Sequence, residues 1–276
     1  MSHSIYFTVF STLLLVACSN DLKKSKTYLQ EENLKGNVKK YKEWNYSLTE
    51  DKKFELLYVS EHSIDHNGNR FLVEEYSPKM IFDSKCNFEH DERNNVTSLT
   101  NYDENGKVKS TSKLLYDNHN SRIEHILKSK TFDLDSKYSY TYDENGNPIQ
   151  EIFYSEDGTV YSKDDNSFDE KGNLVKAISF RKDTLHVTMN FKYDVNGNLI
   201  ERKDVKPDGS LDRHYKKKYD SKNNLIEEIY YDWQGEISSK TNYDYKSFDD
   251  KGNWLEKLIV ENGGEREKKK RTYEYY

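Results

Sequence analysis

Between residues 211 and 219 the side chains alternate. Leu211, Arg213, Tyr215, Lys217 and Tyr219 fall on one side of an extended chain, and Asp212, His214, Lys216 and Lys218 on the other. Ile237, Ser239, Thr241, Tyr243 and Tyr245 repeat the pattern. A period of two predicts strands with one aromatic and one charged face. The strands are punctuated by the string aromatic-Asp-x-x-Gly-Asn, as in Tyr142-Asp143-Glu144-Asn145-Gly146-Asn147. Its glycine position falls at 68, 94, 120, 146, 172, 197, 223 and 252, a beat of 26 residues with two slips. Gly68, Gly146, Gly172, Gly197 and Gly252 hold that position, and Asn94, Asn120 and Asn223 replace the glycine elsewhere. The position needs a positive φ, which glycine adopts freely and Asn tolerates best among residues with a Cβ. Gly106, Gly158, Gly209, Gly235 and Gly264 mark a second turn 12 residues later.

Each unit is therefore two strands and two turns, the turn being a type I turn closed by a left-handed residue. The chain predicts an all-β fold, a repetitive antiparallel β-meander of about 16–18 strands, each of roughly 7–10 residues. Open sheets of that width curl or split, so the meander is expected as a single curled or spiralling sheet with its Tyr-bearing face inward. The longer first unit, from Leu34 to Asp65, is expected to cap one end, with Thr272–Tyr276 as the opposite edge strand. Cys86, in Phe82-Asp83-Ser84-Lys85-Cys86-Asn87-Phe88, reads as the glycine position of an extra turn.

Composition adjusts this picture. Only 34% of the 276 residues are hydrophobic and 33% are charged, so a conventional packed core is thin. The 23 tyrosines offset this, since the ring fits a pleated sheet and the hydroxyl stays wet. A net charge of −6 argues against a nucleic-acid binder. Lys216-Lys217-Lys218 and Lys268-Lys269-Lys270-Arg271 read as solvated strand faces guarding an edge.

The N-terminus carries an address. Residues 5–16 form an apolar run too short to span a bilayer, which takes about 20 residues, but suited to a signal peptide. The run ends in Leu15-Val16-Ala17-Cys18, which resembles a bacterial lipobox, although Met1–Ser4 lacks the usual Lys or Arg. The expected organisation is a signal peptide over 1–17, a lipidated Cys18 with a flexible tether to residue 33, and a repeat domain over 34–276. Lipidation at Cys18, with palmitate in the anchor, implies a bilayer as partner. It points to the cell envelope, with Ser19 compatible with outer-membrane sorting in a Gram-negative cell. Cys86 would then be the only other thiol, leaving no intramolecular disulfide.

At the Tyr-Asp-x-x-Gly turns, over about residues 60–264, the chain resembles the YD-repeat or Rhs-repeat family. That resemblance implies a spiralling β-shell, in some members enclosing a toxin, and here repeats without a cargo domain.

Candidate chemistry is sparse. Asp-rich turns such as 143–147 lack the flanking helices and ligand spacing of a calcium loop, so no metal or other cofactor is expected. With 49 acids, some carboxylate pair will meet hydrolase spacing by accident, and no nucleophile motif surrounds Cys86. The remaining candidate is an aromatic binding surface of Trp44, Trp233, Trp254, Tyr230, Tyr231, Tyr243 and Tyr245. The favoured function is a non-enzymatic, envelope-anchored scaffold or binding surface for a protein or glycan. The alternatives are a component of an Rhs-like toxin or immunity system and, below that, a glycan-acting hydrolase.

Overall fold

The computed structural model describes residues 26–130 and 134–276, so the expected signal peptide and Cys18 lie outside the described residues. One helical turn, α1 (Tyr28–Glu31), precedes eighteen strands. The first nine are β1 (Val38–Leu48), β2 (Phe54–Ile64), β3 (Arg70–Tyr76), β4 (Phe82–His90), β5 (Val96–Tyr102), β6 (Val108–Tyr116), β7 (Arg122–Ser129), β8 (Leu134–Tyr142) and β9 (Pro148–Tyr154). The second nine are β10 (Val160–Phe168), β11 (Leu174–Arg181), β12 (Thr184–Tyr193), β13 (Leu199–Val205), β14 (Leu211–Tyr219), β15 (Leu225–Tyr231), β16 (Ile237–Phe248), β17 (Trp254–Glu261) and β18 (Gly264–Tyr275).

Every strand pairs antiparallel with the next, and β18 returns to pair with β1 from Val38↔Tyr275 to Ser47↔Glu267. The sheet is a closed 18-stranded barrel rather than a curled or spiralling ribbon. Closure satisfies the two rows of backbone groups that an open meander would leave at its ends. Three expectations change with it. Thr272–Tyr276 is not an edge, Lys268–Arg271 guards none, and the unit from Leu34 to Asp65 supplies staves of the wall rather than a cap.

The turns that follow β2, β4, β6, β8, β10, β12, β14 and β16 all lie on one rim. Each carries the Asp-x-x-[Gly/Asn] string, and the rim turn at 143–147 shows how it works. Gly146 sits at φ 77° and donates its N–H to Asp143 O at 3.0 Å. Asp143 Oδ1 accepts the N–H groups of Asn145 and Asn147 at 3.0 and 2.8 Å. The carboxylate is spent on its own turn, the reason Asp opens it.

On the other rim two details differ from the sequence reading. Met80, not Cys86, takes the left-handed position (φ 59°) ahead of β4, and Cys86 lies within β4, paired with Val73 and Asn101. The last hairpin turns on Asn262 (φ 51°) and Gly263 (φ 80°), so Gly264 begins β18 instead of closing a turn. Two-residue loops with positive φ at both central positions match the right-handed twist of the strands they join.

One wall face carries the residues that solvent reaches least, including Tyr41 (2% exposed), Glu43 (8%), Asn45 (4%), Ala177 (3%) and Asp204 (3%). This is the inner wall. The outer wall carries cross-strand ion pairs, with Glu61 between Lys40 and Lys42 at 2.6 and 2.9 Å and Glu227 between Lys218 and Lys240 at 2.6 and 2.7 Å, alongside rings such as Trp44 over the buried Val59. Apolar packing is local. Val38, Tyr41 and Ile64 form the core cluster, with Tyr28, Leu29, Leu34, Tyr273 and Tyr275 packed against it.

The segment from Thr27 to Lys35, expected as tether through residue 33, lies across the mouth at the rim of the Asp-x-x-[Gly/Asn] turns. Thr27 caps α1 in a capping box. Leu29 N–H donates to Gly68 O at 3.1 Å, and Lys35 N–H to Asn253 Oδ1 at 2.7 Å. Tyr28 and Tyr41 share a hydroxyl–hydroxyl hydrogen bond of 2.6 Å.

Candidate functional site

Closure brings β16, β17, β18, β1 and β2 side by side, and their inward residues form rows across the wall. One row runs Tyr245↔Lys257↔Lys269↔Asn45↔Tyr58. Beside it Arg271 Nε donates to Glu43 Oε2 at 2.7 Å, while Lys269 Nζ lies 3.5 Å from Oε1.

Rings and cations alternate here. Lys257 Nζ lies 4.5 Å from the centroid of the Trp254 ring, with Tyr245 and Tyr243 at 5.6 and 5.8 Å. The Arg271 guanidinium stacks 4.1 Å from Trp254 and 4.6 Å from Tyr41, and His62 lies on Tyr41 at 4.2 Å. Such contacts are attractive because the ring face is negative, most strongly where water is excluded. The run continues along the wall: Tyr230 and Tyr243 both donate to the Glu228 carboxylate at 3.2 Å, and Tyr230 packs against Tyr215 at 5.4 Å.

The charges are unbalanced. Burial alone would raise the Glu43 carboxyl, but Arg271 and then Lys269 outweigh it and hold the group at about 2. Burial, then Lys269 and Arg271, pull the Lys257 ammonium down to about 8. Burial, with Arg70 beside it, keeps His62 neutral down to about 3. Three cations thus share one carboxylate, and Lys257 has no ion pair among the described residues. Asn45 adds a buried side-chain amide with neither a donor nor an acceptor partner among the described residues.

The structure divides the sequence-derived aromatic set. Tyr230, Tyr243, Tyr245 and Trp254 share the inner wall. Trp44 alternates with Glu43 and Asn45 on β1, so it belongs to the outer face, as does Tyr231 opposite His214. Trp233 sits in a turn at the far rim, 75% exposed. Sequence reasoning missed Lys257, Lys269, Arg271, Glu43 and Asn45. The only available signal was inward alternation, which placed Lys269 and Arg271 on the face of Tyr273 and Tyr275.

Two other groups bear on chemistry. Burial pushes the Cys86 thiol up to about 11, away from the thiolate a nucleophile needs. Glu151 and Asp164 meet across β9 and β10; burial raises both, Glu151 to about 7.

No protein-family profile matches the chain, and no curated protein matches it. Among solved structures it is similar to a porin-like protein from Bacteroides uniformis ATCC 8492, at 12% identity and TM-score 0.47, over 86% of this chain and 98% of that one. It is similar to a chain of the Photorhabdus luminescens Tc holotoxin pore at 12% identity and TM-score 0.30, covering 74% of this chain and 14% of that one. A TcdB2–TccC3 toxin chain matches at 12% identity and TM-score 0.23, with coverage of 82% and 15%.

Proposed function

We propose that this is a non-catalytic binding barrel that takes a saccharide on its inner wall and is held in the cell envelope by a lipid on Cys18. The observation that carries the reading is the unbroken run of rings and polar groups from Tyr215 through Tyr230, Tyr243, Tyr245 and Trp254 to Tyr41. Sugar rings present C–H faces that pack on aromatics and hydroxyls that exchange hydrogen bonds with amides and carboxylates.

The outer wall bears on the mode of attachment. A barrel that spans a bilayer turns an apolar band about 25 Å tall toward lipid. Here the outer wall carries the Lys40–Glu61–Lys42 and Lys218–Glu227–Lys240 triplets. That wall suits water, so attachment falls to the anchor. Labelled palmitate tests this: label is expected in the wild type and lost in Cys18→Ala.

A glycan array probed with the detergent-solubilised chain tests the binding. Retention of a saccharide class that Trp254→Ala abolishes is the expected result. An array on which no saccharide is retained overturns the reading.

A further inference from the structure

We infer that the row Tyr245–Lys257–Lys269–Asn45–Tyr58, with the Trp254 ring against Lys257, is a subsite for an acidic sugar unit, its carboxylate held by Lys257 and Lys269. The inference rests on the saccharide reading above and narrows it to one ligand chemistry.

Three observations converge. The first is charge. Glu43 is engaged by Arg271 at 2.7 Å and approached by Lys269 at 3.5 Å, which leaves Lys257 without a counter-ion among the described residues. Glu43 and Glu32, beside α1, favour its charged form only through their field, weaker than the burial and the two cations that oppose it. A half-buried ammonium that repels its two cationic neighbours costs free energy in the empty barrel, and an incoming carboxylate would remove that cost. A bound anion would restore the depressed ammonium of Lys257 toward its ordinary range.

The second is the Asn45 amide. It is 4% exposed, unpartnered at both oxygen and nitrogen, and next in the row to Lys269. A buried amide left without partners is unfavourable by about 1–3 kcal/mol. A sugar hydroxyl, which both donates and accepts, can satisfy either end. An anion without a hydroxyl can take up only the N–H, and inorganic phosphate has no ring to lie on the neighbouring aromatics.

The third is shape. The Trp254 and Tyr245 rings flank Lys257 at 4.5 and 5.6 Å from its ammonium, so an apolar platform adjoins the cation. A pyranose carrying a carboxylate needs both at once.

The test uses the full chain in detergent and calorimetric titration with three probes: trigalacturonate, neutral galactotriose and inorganic phosphate. Trigalacturonate is expected to bind at least about tenfold more tightly than galactotriose, a difference of about 1.4 kcal/mol. Lys257→Met should remove that preference and Lys257→Arg should keep it. Lys257→Met gives up the ammonium's ring contacts but leaves no orphaned charge and relieves its repulsion by Lys269 and Arg271, so the variant is expected to melt within a few degrees of the wild type, which separates lost binding from lost fold. Equal binding of both trisaccharides overturns the acidic subsite while the saccharide reading stands. Phosphate binding as tight as trigalacturonate shows a simple anion site and overturns the inference. If the array retains a saccharide class but neither trimer binds, the subsite alone falls; if the array is also blank, both readings fall.

Discussion

At the level of single residues, the Asn that replaces glycine in three rim turns does more than tolerate a left-handed backbone. Asn94 (φ 65°) accepts a hydrogen bond at its Oδ1 from Asn69 Nδ2 of the preceding rim turn, at 3.0 Å. Asn223 (φ 64°) accepts one from Asn198 Nδ2 at the same distance, and Asn120 accepts one from Asn95. Successive turns are thereby tied along the rim. Asn94→Gly sets two effects against each other. It relieves the modest backbone cost of Asn at positive φ, but it deprives the amide of Asn69, a residue only 2% exposed, of its acceptor. An orphaned buried donor costs about 1–3 kcal/mol, more than the relief of a residue that already tolerates that conformation. Net destabilisation of about 1 kcal/mol is expected, read from the urea midpoint at unchanged slope. A midpoint that rises would mean that backbone strain, not the inter-turn bond, governs the site.

Within the hairpins, a tyrosine near the end of the strand is a latch, at the Tyr-Asp pair for Tyr116, Tyr142 and Tyr219 and three residues before Phe248 for Tyr245. Tyr116, Tyr142, Tyr219 and Tyr245 donate their hydroxyls to the carbonyls of Val96, Arg122, Leu199 and Leu225 at 3.0, 2.8, 3.2 and 3.2 Å. Each acceptor starts the neighbouring strand, where the ladder of backbone bonds runs out. The unit that carries Phe168 has no hydroxyl to offer, and there Asn166 Nδ2 donates to Pro148 O at 2.9 Å. The same need is met by a different side chain. Tyr142→Phe and Asn166→Ala are therefore expected to destabilise by a similar amount, about 0.5–1.5 kcal/mol each, measured by thermal or urea unfolding. The spacing and sign of the turns were legible in the chain because a positive φ restricts residue choice so strongly. The latch was not. A Tyr reads as a ring that suits a sheet, and its hydroxyl has meaning only once it is known which neighbouring carbonyl the ladder leaves free. The place of Cys86 failed for a related reason: the left-handed corner fell to Met80, a residue with no turn signature.

For the molecule as a whole, closure decides both what kind of protein this is and where its chemistry sits. A closed barrel explains how a chain with mean hydropathy −1.07 folds: each strand gains ladder bonds on both sides, and apolar packing is confined to the cluster at the mouth and to scattered wall residues such as Leu114, Ala177 and Val187. The run Lys268–Arg271 reads in the sequence as a solvated edge because nothing local shows that β1 lies against it; that pairing joins the two ends of the repeat domain. The complement is Glu43, whose carboxylate receives Arg271 across the seam. Its acid behaviour follows with a definite sign. The carboxyl ionises at about 2 in the folded barrel against an ordinary value of 4.5, so as pH falls the unfolded chain takes up the proton first. The stability this supplies is complete above about 4.5 and is lost progressively toward about 2; at roughly 1.4 kcal/mol for each pH unit it amounts to about 3 kcal/mol. Glu43→Gln removes that contribution and leaves Arg271, Lys269 and Lys257 facing one another, so a loss of about 3–5 kcal/mol at neutral pH is expected. The wild type should also fall more steeply in melting temperature between pH 4.5 and pH 2 than the variant, the rest of the fall belonging to other carboxylates held low in the fold, Glu201 among them. If the two proteins keep parallel acid limbs, with the variant merely lower throughout, the seam ion pair is not what acid breaks.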